Sequence, residues 1–194
     1  MRESDDLIVA LAPVVEALRK LRIRHYVGGS IASSFHGATR STMDVDLIAE
    51  LGEQKIPDFV KCFGDEFYLS EAAIRDAVRR RSCFNLIHLQ SSFKIDIFIK
   101  GERPFDDESM CRARLERLGE TTTVEVPIAT AEDTIISKLE WFRKTNETSE
   151  RQWDDVSRLL RLLGDAADIT YLQRAAGATG VEDLLVRFLG ESAE

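Results

Sequence analysis

Residues 27–48 read VGGSIASSFHGATRSTMDVDLI. A short strand over 24–27 runs into Gly28-Gly29-Ser30. A short helix over 31–36 follows and ends at Gly37, and a second strand covers 44–49. Two adjacent glycines let the backbone turn sharply and approach a ligand closely. The helix start that follows offers free N–H groups and a positive dipole end, which suits a phosphate. Ser30 can cap the helix or bond a phosphate oxygen. On its own, a Gly-Gly-Ser turn is most often only a turn.

Asp44-Val45-Asp46 adds chemistry to the turn. In a strand, residues i and i+2 share a face, so Asp44 and Asp46 stand side by side, with Val45 and Leu47 anchoring the opposite face. Adjacent carboxylates repel unless a positive charge lies between them, and a divalent cation with oxygen ligands is the simplest solution. The plain alternative is an edge strand with two solvated aspartates. A third acid, Asp96, interrupts Phe93-Lys94-Ile95-Asp96-Ile97-Phe98-Ile99. Aspartate is depleted in strands. If this strand neighbours 44–49, three carboxylates converge; otherwise Asp96 shares a polar outer face with Lys94.

Working outward, Leu7, Leu11, Val14, Val15 and Leu18 recur at helical spacing over 4–20, with Pro13 expected to kink or break that helix. Helices are expected at 56–63, 71–80 and 104–115. Strands are expected at 83–89, 93–99 and 121–126, with Gln90-Ser91-Ser92 short enough to close a hairpin. After Pro127 the pattern becomes helical throughout, at 131–144, 150–163 and 168–189. The fold class read from this is α+β: a mixed sheet flanked by helices over 1–128, then an all-helical region over 129–194. Trp141, Phe142 and Trp153 are expected in the core between the two regions. Leu184, Leu185, Phe188 and Leu189 give the last helix a packing face, used within the chain or across a homodimer.

The chain has 194 residues, of which 44% are hydrophobic and 31% charged, with a formal net charge of −8. That profile excludes wholesale disorder. The negative balance weakens broad nonspecific nucleic-acid binding, without excluding a local basic face. The longest apolar run, Leu7–Val15, falls short of the ~20 residues a bilayer span needs. The acidic opening Met1-Arg2-Glu3-Ser4-Asp5-Asp6 is unlike a targeting signal, so a cytoplasmic location with no membrane partner is expected. Cys62, Cys83 and Cys111 have no metal or disulfide spacing and read as small buried residues. His36, at a helix end, reads as structural; His25 and His88 have no partner at ligand spacing.

Taken together, Gly28-Gly29-Ser30, Arg40, Thr42, Asp44-x-Asp46 and the later Asp96 resemble the nucleotidyltransferase superfamily with the DNA polymerase β-like fold. Ala131-Glu132-Asp133-Thr134-Ile135-Ile136-x-Lys138-Leu139, then Arg151-Gln152-Trp153-Asp154-Asp155-Val156, resemble the helical half of bacterial nucleotidyltransferase-like proteins, including abortive-infection toxins of toxin–antitoxin pairs. The resemblance implies an NTP with its triphosphate near Gly28, Gly29 and Ser30, and Mg²⁺ or Mn²⁺ on Asp44, Asp46 and Asp96. It also implies in-line transfer to a hydroxyl on tRNA, protein or a small molecule. Asp96 would share a second metal or act as base. Arg40 would stabilise the phosphates or pair with a carboxylate. Lys138 and Asp155 match active-site positions of the toxins, while Gln152 stands where many relatives carry another Asp. The resemblance also leaves open a toxin with a partner antitoxin, an antibiotic-modifying enzyme, and a binding module without turnover.

Overall fold

In the computed structural model, residues 2–38, 42 and 44–191 are described, with side chains for 6–190 within that set. The chain runs α1 (Arg2–Lys20), β1 (His25–Val27), α2 (Gly29–Phe35), β2 (Asp44–Ala49), α3 (Ile56–Lys61), β3 (Phe67–Tyr68), α4 (Glu71–Arg80), β4 (Cys83–His88) and β5 (Lys94–Ile99). It continues with α5 (Pro104–Arg112), β6 (Arg114–Leu118), β7 (Val124–Ile128), α6 (Ala131–Lys144), α7 (Glu150–Leu163), α8 (Ile169–Thr179) and α9 (Glu182–Glu191). Arg40 lies outside the described residues.

The strands form one sheet in the order β3-β4-β5-β2-β1-β7-β6. It is mixed: β2 pairs β5 and β1 pairs β7 in parallel, and the other neighbours are antiparallel. Together with the helices this is an α+β fold. The β2–β5 register follows from burial. Val45, Leu47 and Ala49, with Ile95, Ile97 and Ile99, are buried in one cluster with Leu11, Val14 and Leu18 of α1, Phe59 of α3 and Ile74 of α4. A one-residue slip would expose these apolar side chains, at ~1.5–3 kcal/mol for each of the large ones, and bury Asp44, Asp46, Lys94 and Asp96 instead. The same alternation therefore fixes the core on one face and the charged residues on the other.

A second buried cluster joins Ile135, Ile136 and Leu139 of α6, Val156 and Leu159 of α7, Leu172 of α8 and Phe188 of α9. Ala38 and Phe105 belong to it as well, so the helical region packs on side chains from the first 128 residues. Asp133 ties these helices together. It is buried and accepts bonds from Ser109 and Arg112 of α5, Thr130 and the Tyr171 hydroxyl. Burial and the Asp133 carboxylate push the Tyr171 phenol well above its ordinary value, which keeps it a donor.

Several expectations need correction. The first helix is not broken at Pro13, because its buried face, with Leu11, Val14, Val15 and Leu18, offsets the ~3 kcal/mol that an interior proline costs. The helix expected over 104–115 stops at Arg112, and Arg114–Leu118 forms edge strand β6. That strand is largely exposed, so no buried alternation marks it in the sequence. Its partner β7 begins at Val124 and includes Pro127. The last helix is two, separated at Gly180, which takes the left-handed conformation at φ +73°. Cys83 and Cys111 are exposed and so are not core residues, whereas Cys62 is half-buried and packs against the core. No helix among the described residues is long and apolar enough to cross a membrane.

Candidate functional site

Asp46 on β2 stands opposite Asp96 on β5. Asp44, Asp46 and Ile48 share the half-buried face of β2, and Lys94, Asp96 and Phe98 share the corresponding face of β5. The Gly28-Gly29-Ser30 turn closes over this face. Gly28 N–H donates to the Asp46 backbone carbonyl at 2.9 Å, and Ser30 N–H donates to the Asp46 carboxylate. Gly29 has φ +55°, and a Cβ there would sit 1.7 Å from Asp46 Oδ2. Glycine is required on both counts: the backbone conformation and the contact with the acid.

The electrostatics follow from this crowding. Burial, then the charges of Asp96 and Asp44, push the Asp46 carboxyl above its ordinary value; Lys138 and the Ser30 N–H pull it back down. Lys94 lies between the other two acids, 2.9 Å from Asp96 Oδ2 and 3.6 Å from Asp44 Oδ1. The hydrogen bond to Asp96 holds the Lys94 ammonium above its usual value.

The acids floor a cleft of about 540 Å³, with α6 and α7 as the opposite wall. Lys138 of α6 is 4% exposed and donates to Asp155 Oδ2 at 2.6 Å and to Gln152 Oε1 at 3.3 Å. Arg151 of α7 donates to Ser30 Oγ at 3.3 Å, linking the wall to the glycine turn. At the mouth, Arg103 grips both Asp106 and Glu140, which lifts its guanidinium further above its already high value. Trp141 remains 46% exposed, edge-on to Phe98 with ring centroids 6.3 Å apart, and Lys144 lies over its ring.

The expected residues Gly28, Gly29, Ser30, Asp44, Asp46, Asp96 and Lys138 all line this one cleft. Asp155 is buried behind the wall, where it holds Lys138. Trp141 is a cleft residue rather than core, whereas Phe142 is buried and Trp153 packs on Phe188 with centroids 3.9 Å apart. His36 is structural, bonded through Nε2 to the Ala129 carbonyl at 2.7 Å. Sequence reasoning missed Arg103, Lys144 and the placement of Lys94 between two acids. For Lys94 a signal existed, since it precedes Asp96 by two residues and so shares its face.

Among the described residues, no three His, Cys, Asp or Glu side chains already sit in a metal-coordinating arrangement. The donor set still suits a hard cation. Mg²⁺ is typically held by one or two carboxylates together with substrate phosphates and water, not by an all-protein cage. Asp46 and Asp96 are oxygen donors on facing strands, and the raised Asp46 carboxyl records a repulsion that a cation would relieve.

No family model and no curated protein matches the chain. Solved structures do. An antigenic nucleotidyltransferase-like protein from Paracoccidioides brasiliensis is similar over 92% of this chain and 94% of its own, with 17% identity and a TM-score of 0.55. ANT(2″)-Ia, crystallised with adenylyl-2″-tobramycin, is similar over 89% of this chain and 96% of its own, with 12% identity and a TM-score of 0.51. The chain therefore has a nucleotidyltransferase-like fold.

Proposed function

We propose that this protein transfers a nucleoside monophosphate from an NTP to a hydroxyl acceptor, with release of pyrophosphate. The observation that carries the reading is the Asp46–Asp96 pair, side by side on neighbouring strands beside the Gly29–Ser30 turn in a cleft of a nucleotidyltransferase-like fold. The lining fits an anionic substrate. Among the described residues it includes six cations, of which Arg81, Lys100, Arg103 and Lys138 already pair with acids, so that Lys144 and Arg151 are the ones offered to phosphate.

In this reading Asp46 and Asp96, with Asp44, would hold Mg²⁺ or Mn²⁺. When bound, the ion would offset charge on the phosphates and make the acceptor hydroxyl more acidic. Lys138 and Arg151 would face the triphosphate from the opposite wall, with Asp155 and Gln152 fixing the lysine. The acceptor oxygen bonds to the α-phosphorus, the bond from that phosphorus to the β-bridging oxygen breaks, and pyrophosphate leaves. The acceptor proton passes to the Asp96 carboxylate. Ile48, Phe98 and Trp141 would take the nucleobase. Positioning and fixed cations supply most of the rate in such a scheme.

A second reading concerns the acceptor. ANT(2″)-Ia was crystallised with an adenylylated tobramycin, which favours a small polyhydroxyl acceptor. RNA or protein acceptors, as in a toxin of a toxin–antitoxin pair, rest on the sequence resemblance. The test is to incubate the full chain with each α-³²P-labelled NTP, Mg²⁺ or Mn²⁺, and separately with total RNA, protein extract and aminoglycosides. Label is expected in one acceptor class, and it should disappear with Asp46→Asn. No label in any class, or undiminished label with that variant, contradicts the proposal.

A further inference from the structure

Lys94 differs from the other cations of the site because the strand register delivers it there. It lies opposite Asp44 across the β2–β5 ladder and two residues before Asp96 on the same face. Its ammonium meets Asp96 Oδ2 at 2.9 Å and Asp44 Oδ1 at 3.6 Å, so one side chain joins acids from two strands. The side chain keeps 40% exposure, so it can swing outward without unpacking the core.

We propose that Lys94 is a tethered competitor of the divalent ion: it holds Asp44 and Asp96 until ion and nucleotide arrive together, and then gives way. The inference rests on the nucleotidyl-transfer reading of the site and concerns how that site loads. The ammonium and a divalent ion compete for the same two carboxylates, and their like charges repel when both are held there. A divalent ion arriving alone must displace Lys94 into water. An ion accompanied by a triphosphate brings phosphate oxygens as further ligands and offers the displaced ammonium a new anionic partner. Ion and nucleotide therefore bind with positive coupling, which linkage makes reciprocal.

The experiment measures free Mn²⁺ by electron paramagnetic resonance over the full chain, with and without non-hydrolysable α,β-methylene NTP analogues. The wild type is expected to bind Mn²⁺ weakly alone and at least about tenfold more tightly with the analogue it accepts. Lys94→Met should bind Mn²⁺ alone about tenfold more tightly than the wild type, with most of the nucleotide coupling lost. Lys94→Gln, a second neutral variant, should behave in the same way, whereas Lys94→Arg should keep the wild-type pattern. If the neutral variants bind Mn²⁺ no more tightly than the wild type, while Asp46→Asn abolishes binding, the role of Lys94 is overturned and the nucleotidyl-transfer reading stands. If Asp46→Asn binds Mn²⁺ as the wild type does, that reading fails and takes this inference with it.

Discussion

Gly29 and Asp46 touch so closely that no side chain fits between them: a Cβ on Gly29 would lie 1.7 Å from Asp46 Oδ2 and 2.6 Å from its Cγ. The turn and the acid are therefore one unit. The strand β2 presents the carboxylate, and the first residue of α2 is shaped to receive it.

Gly29→Ala must displace the Asp46 carboxylate and also adopt a positive φ that alanine disfavours. The expected outcome is a loss of ~1–3 kcal/mol of stability in chemical denaturation, with nucleotidyl transfer reduced at least about a hundredfold, since misplacement on the order of 1 Å costs that much.

Asp46→Asn should stabilise the protein while abolishing transfer. Burial and the facing Asp96 raise the Asp46 carboxyl above its ordinary 3.8. The native state therefore binds this proton more tightly than the unfolded chain. Stability is lost as pH rises from the unfolded value through the folded one. The melting temperature of Asp46→Asn should exceed that of the wild type at pH 7, where the buried carboxylate is charged. The gap should narrow as pH is lowered towards 4. Thermal melts across that range without divalent ions check both points.

Much of this site is legible in the sequence. The i, i+2 spacing of Asp44 and Asp46, and the intrusion of Asp96 into an isoleucine-rich strand, suffice to place three acids on polar strand faces. Their convergence depends on β2 and β5 being neighbours, which is a long-range pairing that no local pattern specifies. Arg103 and Glu140 illustrate the rest. They are 37 residues apart and meet only because α5 and α6 border the same cleft. Strand β6 was hidden for a different reason: Arg114, Glu116 and Arg117 give an exposed edge no apolar alternation. Trp141 lines the cleft and not the core, a distinction helical spacing does not carry, because it tells which residues share a face and not what that face meets.

The buried Lys138–Asp155 pair allows structural and functional roles to be separated. Lys138→Met removes the cation 2.6 Å from a carboxylate that is only 5% exposed and should cost ~3–5 kcal/mol. The double variant Lys138→Met/Asp155→Leu should recover most of that loss, because both charges are gone. It should not recover transfer activity, since Lys138 lines the cleft opposite the acids. Urea denaturation paired with the label-transfer assay measures both.

Trp141→Ala should cost ~1–2 kcal/mol, because over half of the ring is buried and packs edge-on against Phe98. The KM for the nucleotide should rise ~5- to 150-fold, the span of base–aromatic stacking energies. Trp141→Phe should restore most of it. Steady-state kinetics at fixed acceptor concentration provide the readout.

If the site works as proposed, Asp46 and Asp96 together grip the ion that carries the triphosphate. Crystals grown with Mn²⁺ and an α,β-methylene NTP analogue, measured for manganese anomalous scattering, test it most directly. The expected result is an anomalous peak about 2.1 Å from carboxylate oxygens of both residues, with the phosphates beside Ser30 and the Lys94 ammonium withdrawn. Phosphates seated elsewhere, with Lys94 still bridging Asp44 and Asp96 and no peak between the strands, would contradict it.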